Sequence, residues 1–249
     1  MAHYPAVSVF EIDDTLIEGS LWRHVLRQVF LEVPTRAPRY MMERAFAGAA
    51  DYLLRRPTDD LAYAQSALRL MSRISPDVRS HIIDYVVDGL VRENLRPGAI
   101  DTLIQRRKAG DRIFFVSDCF DFILAKLASR LGGADIIATR TFENTDGTLI
   151  LSAGEIRCRG QQKLARLREH FDGERRPPFV RAYGHSSDDF ILLSWADAGV
   201  AVNPEAKAVS EAQAMGLSVV DWSVGIKDAP LHRPVVPGTS QRSERQKSN

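Results

Sequence analysis

Three short polar clusters follow apolar stretches in this 249-residue chain. They are Glu11 to Thr15 after VSVF, Ser117 to Cys119 after RIFFV, and Gly184 to Asp189 in the string YGHSSDD. Lys163 lies between the second and third clusters, near the start of a predicted helix. Together they supply carboxylates, a hydroxyl and an ammonium group. Phosphoryl transfer uses this set, because one carboxylate can attack phosphorus, a second can protonate the leaving oxygen, and the other groups hold phosphate oxygens.

The elements that carry these clusters must bring them together. Val7 to Ile12 is a continuous apolar run, which predicts a short buried strand. From Pro97 onward strands alternate with helices, so we expect a parallel sheet with right-handed crossovers. Ligands bind outside the carboxyl ends of such strands, which predicts that the three clusters meet at one edge. The later predicted strands are Arg112 to Ser117, Asp135 to Thr139, Phe179 to Tyr183, Gly199 to Val202 and Ser218 to Val220.

A helical insert separates the first strand from the rest of the sheet. In LWRHVLRQVFL the apolar residues recur at helical spacing, and prolines divide the region into about four helices. We therefore predict an α/β core over residues 1–18 and 97–227, a helical cap over 19–96 and a flexible tail over 228–249. A β-hairpin is expected around Asp146-Gly147.

Composition limits the classes of partner. The 33 basic and 32 acidic side chains nearly balance, so no global field attracts nucleic acid or a membrane. Cys119 and Cys158 lack metal-binding spacing and are expected to be reduced thiols. The sequence has no apolar run of transmembrane length, and its first residues, MAHYPAVSVF, lack a basic segment followed by a long apolar run. We expect a cytoplasmic protein whose partner is a small phosphorylated metabolite.

Four strings in this order resemble the four motifs of the haloacid dehalogenase (HAD) superfamily: FEIDDTLIEG, FFVSDC, RGQQKLARL and YGHSSDD. The likeness is to the phosphoserine-phosphatase-like branch, which carries a helical C1-type cap after motif one. It implies a doubly wound parallel-sheet (Rossmannoid) core and hydrolysis of phosphoric monoesters. By that resemblance position 11 is the nucleophile, Asp13 the general acid, and Ser117 and Lys163 bind phosphate.

The resemblance also implies a Mg²⁺ site. Its ligands would be the side chain at position 11, the backbone carbonyl of Asp13, and the acidic positions of motif four, which fall on His185 and Asp189.

Two positions depart from the family pattern, which has aspartate at both. Glu11 adds a methylene and so moves its carboxylate by roughly 1 Å, and a misplacement of that order can cost about 10²-fold in rate. His185 supplies no negative charge and suits Mn²⁺, Fe²⁺ or Zn²⁺ better than Mg²⁺. A further departure is Asp118, whose charge would oppose a bound phosphate.

The sequence thus predicts a phosphohydrolase acting on a small phosphomonoester with weak or altered activity. One alternative is an inactive HAD-fold protein that binds a phosphorylated ligand or a protein partner. In that case Glu11 could pair with a protonated His185, which would fill the cation site. A second alternative is different metal-dependent chemistry, in which Glu11, His185 and Asp189 hold a transition metal.

Overall fold

A parallel sheet forms the centre of the molecule. The computed structural model describes residues 6–36, 38–42, 60–171 and 177–225. Within them, the strands are β1 (Val7–Glu11), β2 (Arg112–Phe120), β3 (Asp135–Thr139), β4 (Thr141–Glu143), β5 (Leu149–Leu151), β6 (Val180–Gly184), β7 (Ala198–Val202) and β8 (Ser218–Val220). Six of them pair in parallel in the order β3-β2-β1-β6-β7-β8, while β4 and β5 form a separate antiparallel hairpin. The doubly wound α/β fold is therefore confirmed.

Helices cover both faces of the sheet. They are α1 (Leu21–Glu32), α2 (Asp60–Ser72), α3 (Pro76–Glu93), α4 (Pro97–Lys108), α5 (Asp121–Arg130), α6 (Gln161–His170), α7 (Ser187–Trp195) and α8 (Ala206–Ala214). Successive strand residues point to opposite faces, so Phe10 belongs to the buried cluster shared with α1 to α5, whereas Val9 belongs to the one shared with α6 to α8. All five residues of β1 are buried, as expected for the central strand.

Helices α1, α2 and α3 lie in the predicted insert and are joined to the core by polar contacts. The Ser72 hydroxyl accepts from the Leu149 amide at 2.8 Å, which ties α2 to β5. Arg79 of α3 pairs with Glu143 of β4. The larger apolar cluster also runs without a break from the sheet into these helices. The division at residues 18/19 and 96/97 stays a prediction, and the predicted tail lies outside the described residues.

The predicted bounds of β3 and β8 match the structure, and the hairpin lies at the predicted place. Strand β2 continues three residues past Ser117, to Phe120, after an irregularity in its pairing with β3. Cys119 and Cys158 are free and buried. Among the described helices, none has both the length and the apolar content that crossing a bilayer requires.

Candidate active site

Glu11 ends β1 and organises the turn that follows. Its side chain is 2% exposed. Glu11 Oε1 accepts from the Asp13 amide at 3.1 Å, and Oε2 accepts from the Thr15 hydroxyl at 2.7 Å. The chain makes one irregular turn over Ile12–Leu16, in which Asp14 has a positive φ of 54°. Both carboxylate oxygens of Glu11 are thus held by the turn, at the carboxyl edge of the central strand.

Asp13 lies in the same turn and faces β2. Asp13 Oδ1 accepts from the Leu21 amide at the start of α1 at 2.5 Å, and Oδ2 accepts from the Ser117 hydroxyl at 3.2 Å. Burial, followed by the charges of Glu11 and Asp118, raises the pKa of Asp13 from 3.8 to about 7. Asp13 can therefore carry a proton near neutral pH, which a general acid requires.

Ser117 is fully buried in β2 beside Asp13. Its oxygen also accepts from the Cys119 amide at 3.0 Å. The next residue is Asp118, and its Oδ2 lies 2.5 Å from Arg157 Nη2. The end of β2 thus places one hydroxyl beside Asp13 and one carboxylate in an ion pair with Arg157.

Lys163, in the first turn of α6, reaches two carboxylates. Its Nζ lies 2.6 Å from Asp189 Oδ1 and 3.4 Å from Glu11 Oε1, and the side chain is 6% exposed. Burial alone would lower the pKa of Lys163, but the charges of Asp189 and Glu11 raise it well above its ordinary value. Lys163 therefore remains an ammonium ion.

Asp189 is fully buried in the first turn of α7. Oδ2 accepts from the amides of His185 and Ser186 and from the Ser186 hydroxyl, at 3.2, 3.0 and 2.8 Å. Burial works to raise its pKa, but the charge and hydrogen bond of Lys163 lower it to about 2. A Cβ at Gly184 would lie 2.7 Å from Asp189 Cβ, so this close approach requires a glycine.

His185 faces both buried carboxylates. Its Nδ1 lies 3.5 Å from Glu11 Oε2 and 3.5 Å from Asp189 Oδ2, and it is also 3.5 Å from the Thr15 hydroxyl. Burial lowers the pKa of His185, but the hydrogen bond and charge of Glu11 and the charge of Asp189 raise it above 6.5 overall. The cluster can thus hold two carboxylates, one ammonium and one imidazolium, whose formal charges cancel.

Glu11, His185 and Asp189 could also hold a metal ion. They offer two carboxylate oxygens and one ring nitrogen, all within 4.8 Å of one another. This mixed donor set fits a transition-metal dication, whereas Mg²⁺ prefers oxygen ligands alone.

The six residues singled out in the sequence are brought together here. Direct contacts link Glu11, Asp13, Ser117, Lys163, His185 and Asp189. Their roles in catalysis and metal binding stay predictions. Sequence reasoning placed Thr15 in the first polar cluster without giving it a role, and it missed Arg157. The contact of Thr15 with Glu11, four residues before it, could have been found from its spacing, but nothing local to Arg157 indicates its contact with Asp118.

A comparison with known protein families identifies the class of protein to which this fold and this cluster of side chains belong. The family of haloacid dehalogenase-like hydrolases matches residues 8–194. Since this match covers most of the chain, the protein belongs to the haloacid dehalogenase-like hydrolases, and the expected family is confirmed.

Individual relatives are distant. The chain is 34% identical to Protein CicA of Caulobacter vibrioides over 103 residues, which are 41% of this chain and 46% of CicA. It thus matches less than half the length of that relative. It is 25% identical to Phosphoserine phosphatase SerB1 of Mycobacterium tuberculosis over 242 residues, with 92% of this chain and 75% of SerB1 covered.

The fold has a counterpart among solved structures. A Bordetella pertussis Tohama I protein of unknown function superposes with a TM-score of 0.74 at 21% identity. The superposition covers 88% of this chain and 99% of that protein. At this identity the likeness establishes the fold alone.

Proposed function

We propose that this protein is a phosphohydrolase that acts on a small phosphomonoester, with weak or altered activity. The observation that carries the proposal is the environment of Asp13. Asp13 follows Glu11 by two residues, and its partly buried carboxyl group accepts a hydrogen bond from Ser117 while its pKa is raised to about 7. A carboxylic acid that keeps its proton near neutrality suits protonation of a leaving alkoxide.

In the proposed reaction a Glu11 oxygen attacks phosphorus and the ester P–O bond breaks. The leaving oxygen takes the proton of Asp13. Water then attacks the acyl phosphate, Asp13 accepts a proton from that water, and phosphate leaves as the Glu11 carboxylate is restored. Ser117 and Lys163 would hold the phosphate oxygens, because their donors lie beside Asp13 and Glu11 respectively.

Weak activity is proposed because of Glu11. Each of its oxygens has two polar neighbours: Oε1 contacts the Asp13 amide and Lys163, and Oε2 contacts the Thr15 hydroxyl and His185. Attack therefore requires at least one of these contacts to loosen. The longer side chain also displaces the nucleophile, which can cost about 10²-fold in rate.

A bound dication would be held by Glu11, His185 and Asp189, with the Asp13 backbone carbonyl as a further proposed ligand. It would supply positive charge to neutralise phosphate oxygens. Mg²⁺ is the ion implied by the family, and the histidine favours a transition metal. Metal analysis after mild purification tests this point, since the absence of Mn, Fe and Zn from the purified protein would count against a transition-metal site.

The second candidate function is a non-catalytic HAD-fold protein that binds a phosphorylated ligand or partner. The cancelling charges of Glu11, Asp189, Lys163 and His185 favour it, because they satisfy the site without a metal ion. The helical cap over residues 19–96, a cytoplasmic location and a small phosphorylated metabolite as ligand remain parts of the proposal. O-phosphoserine is the first candidate substrate, because SerB1 is a phosphoserine phosphatase.

The test measures hydrolysis of 4-nitrophenyl phosphate and O-phosphoserine in Mg²⁺ and in Mn²⁺. We expect Glu11→Gln to lower kcat at least about 10²-fold with both substrates, and Asp13→Asn to do so with O-phosphoserine, whose alkoxide leaving group needs a proton. Asp188→Asn is the matched control, because Asp188 pairs with Arg159 at the surface beside the site.

The double variant Glu11→Asp with His185→Asp separates the two functions. Under the proposed function it should raise turnover in Mg²⁺ above a measurable wild-type rate. Background turnover in the wild type with rescue in the double variant would support the non-catalytic protein instead. Wild-type turnover that survives Glu11→Gln would contradict the assigned nucleophile.

A further inference from the structure

Asp118 and Arg157 form an ion pair at the edge of the candidate site. Arg157 Nη2 lies 2.5 Å from Asp118 Oδ2, and the side chains are 15% and 26% exposed. The guanidinium carbon of Arg157 also lies 5.1 Å from the ring centre of Tyr63 in α2. The pair therefore lies where the carboxyl edge of the sheet meets the helices inserted after β1.

Thr139 fixes the two backbones that carry the pair. Its hydroxyl donates to the Asp118 carbonyl at 2.8 Å and accepts from the Cys158 amide at 3.0 Å. Thr139 is fully buried. The position of Arg157 relative to Asp118 is thus set by the fold at the backbone level as well as by the side-chain contact.

Asp118 creates an electrostatic problem for an anion beside Ser117. The two residues are adjacent in β2, and the negative charge of Asp118 raises the pKa of both Asp13 and Cys119. The charge of this carboxylate therefore acts on Asp13, which contacts Ser117. A phosphate dianion held by Ser117 would be repelled by an uncompensated carboxylate on the adjacent residue, since unit charges about 4 Å apart interact by about 4 kcal/mol at an effective dielectric constant of about 20.

We propose that Arg157 is a positioning residue for phosphate binding, which neutralises Asp118 so that a phosphate dianion can bind at Ser117. This inference rests on the proposed function, since it assumes that Ser117 binds phosphate. A purely structural ion pair would stabilise the fold without changing the affinity for phosphate. The two roles differ in what happens when both charges are removed together.

The experiment measures the dissociation constant of inorganic phosphate by titration calorimetry on the full chain. We expect Arg157→Gln to weaken phosphate binding at least about tenfold, which corresponds to about 1.4 kcal/mol. Arg157→Lys should retain most of the affinity, and Asp118→Asn should bind phosphate more tightly than the wild type. Arg159→Gln is the control, because Arg159 lies two residues away and pairs with Asp188 at the surface.

The double variant Asp118→Asn with Arg157→Gln decides the mechanism. It should bind phosphate within about threefold of the wild type, since it contains neither charge. When the same variants hydrolyse 4-nitrophenyl phosphate, the Michaelis constant should follow these dissociation constants more closely than kcat does. If circular dichroism shows that Arg157→Gln is unfolded, Asp118→Asn and the double variant carry the test.

Three results would overturn the inference. The first is an unchanged affinity for phosphate in folded Arg157→Gln. The second is a double variant that binds phosphate as weakly as folded Arg157→Gln or not at all. The third is a wild type that binds no phosphate. These outcomes are separable from failure of the proposed function. If phosphate binding depends on the ion pair but the protein hydrolyses no substrate, the role of Arg157 is supported and the proposed hydrolysis is refuted. If the protein hydrolyses its substrate but phosphate binding does not depend on the ion pair, the proposed hydrolysis is supported and the role of Arg157 is refuted.

Discussion

Replacing Lys163 with methionine should cost the protein a large part of its stability. The ammonium group is buried and contacts two buried carboxylates, Asp189 at 2.6 Å and Glu11 at 3.4 Å. Lys163→Met keeps the length of the side chain but leaves those charges without their cation. Removing one partner of a buried ion pair typically costs about 3–5 kcal/mol, because a buried charge is left uncompensated.

The pH dependence of this loss follows from Asp189. Its pKa is lowered from 3.8 to about 2 in the folded protein, which corresponds to about 2 kcal/mol of stability. For a carboxyl group with a lowered pKa, that stability is present above about pH 4 and is lost as the pH falls towards 2. The difference in the free energy of unfolding between the wild type and Lys163→Met should therefore be large at pH 7 and should become smaller below about pH 4.

The assay is urea unfolding followed by tryptophan fluorescence over this pH range. Lys207→Met is a matched control, because Lys207 pairs with Glu205 at the surface, and its unfolding midpoint should not move. Adding Asp189→Asn to Lys163→Met should recover part of the lost stability. A loss below about 1 kcal/mol at pH 7, or one that does not change with pH, would refute this reasoning.

Two further predictions concern neighbouring parts of the site. With phenyl phosphate as substrate, kcat should fall about tenfold per pH unit above pH 7, because Asp13 must be protonated to act as the acid and its pKa is about 7; a flat profile from pH 6 to 9 would exclude that role. Gly184→Ala should lower the free energy of unfolding by about 1–3 kcal/mol, since the added Cβ would lie 2.7 Å from Asp189 Cβ. Gly89→Ala is its control, because Gly89 lies in helix α3 with no atom within 4 Å of the added Cβ. In the same urea titration the free energy of unfolding of Gly89→Ala should rise by about 0.5–1 kcal/mol.

The sheet could be predicted from the sequence because its strands are short apolar runs between turn signals. Asp135–Thr139 and Ser218–Val220 match their predicted bounds. The last three residues of β2 were missed, because the charged residue Asp118 interrupts the apolar run after Ser117. The irregular pairing with β3 after Val116 is a tertiary feature that the sequence of β2 does not reveal.

The candidate site could be predicted to the level of residues but not of contacts. The predicted parallel sheet put Glu11, Ser117 and Asp189 at one edge, because ligands bind outside the carboxyl ends of such strands. The contact of His185 with Glu11 was predicted as one alternative, and the structure brings these side chains to 3.5 Å. The pairing of Arg157 with Asp118 spans 39 residues and depends on the loop before α6, so neither spacing nor periodicity could predict it.

The central position of β1 has a consequence for synthesis of the chain. β1 is made first, but its neighbours in the sheet begin at Arg112 and Val180. A ribosome-bound chain that ends at residue 160 has no β6, so one edge of β1 has no partner strand. Such a chain also lacks Lys163, so its Glu11 has no ammonium partner. The sheet around β1 can therefore be completed only after most of the chain has been translated.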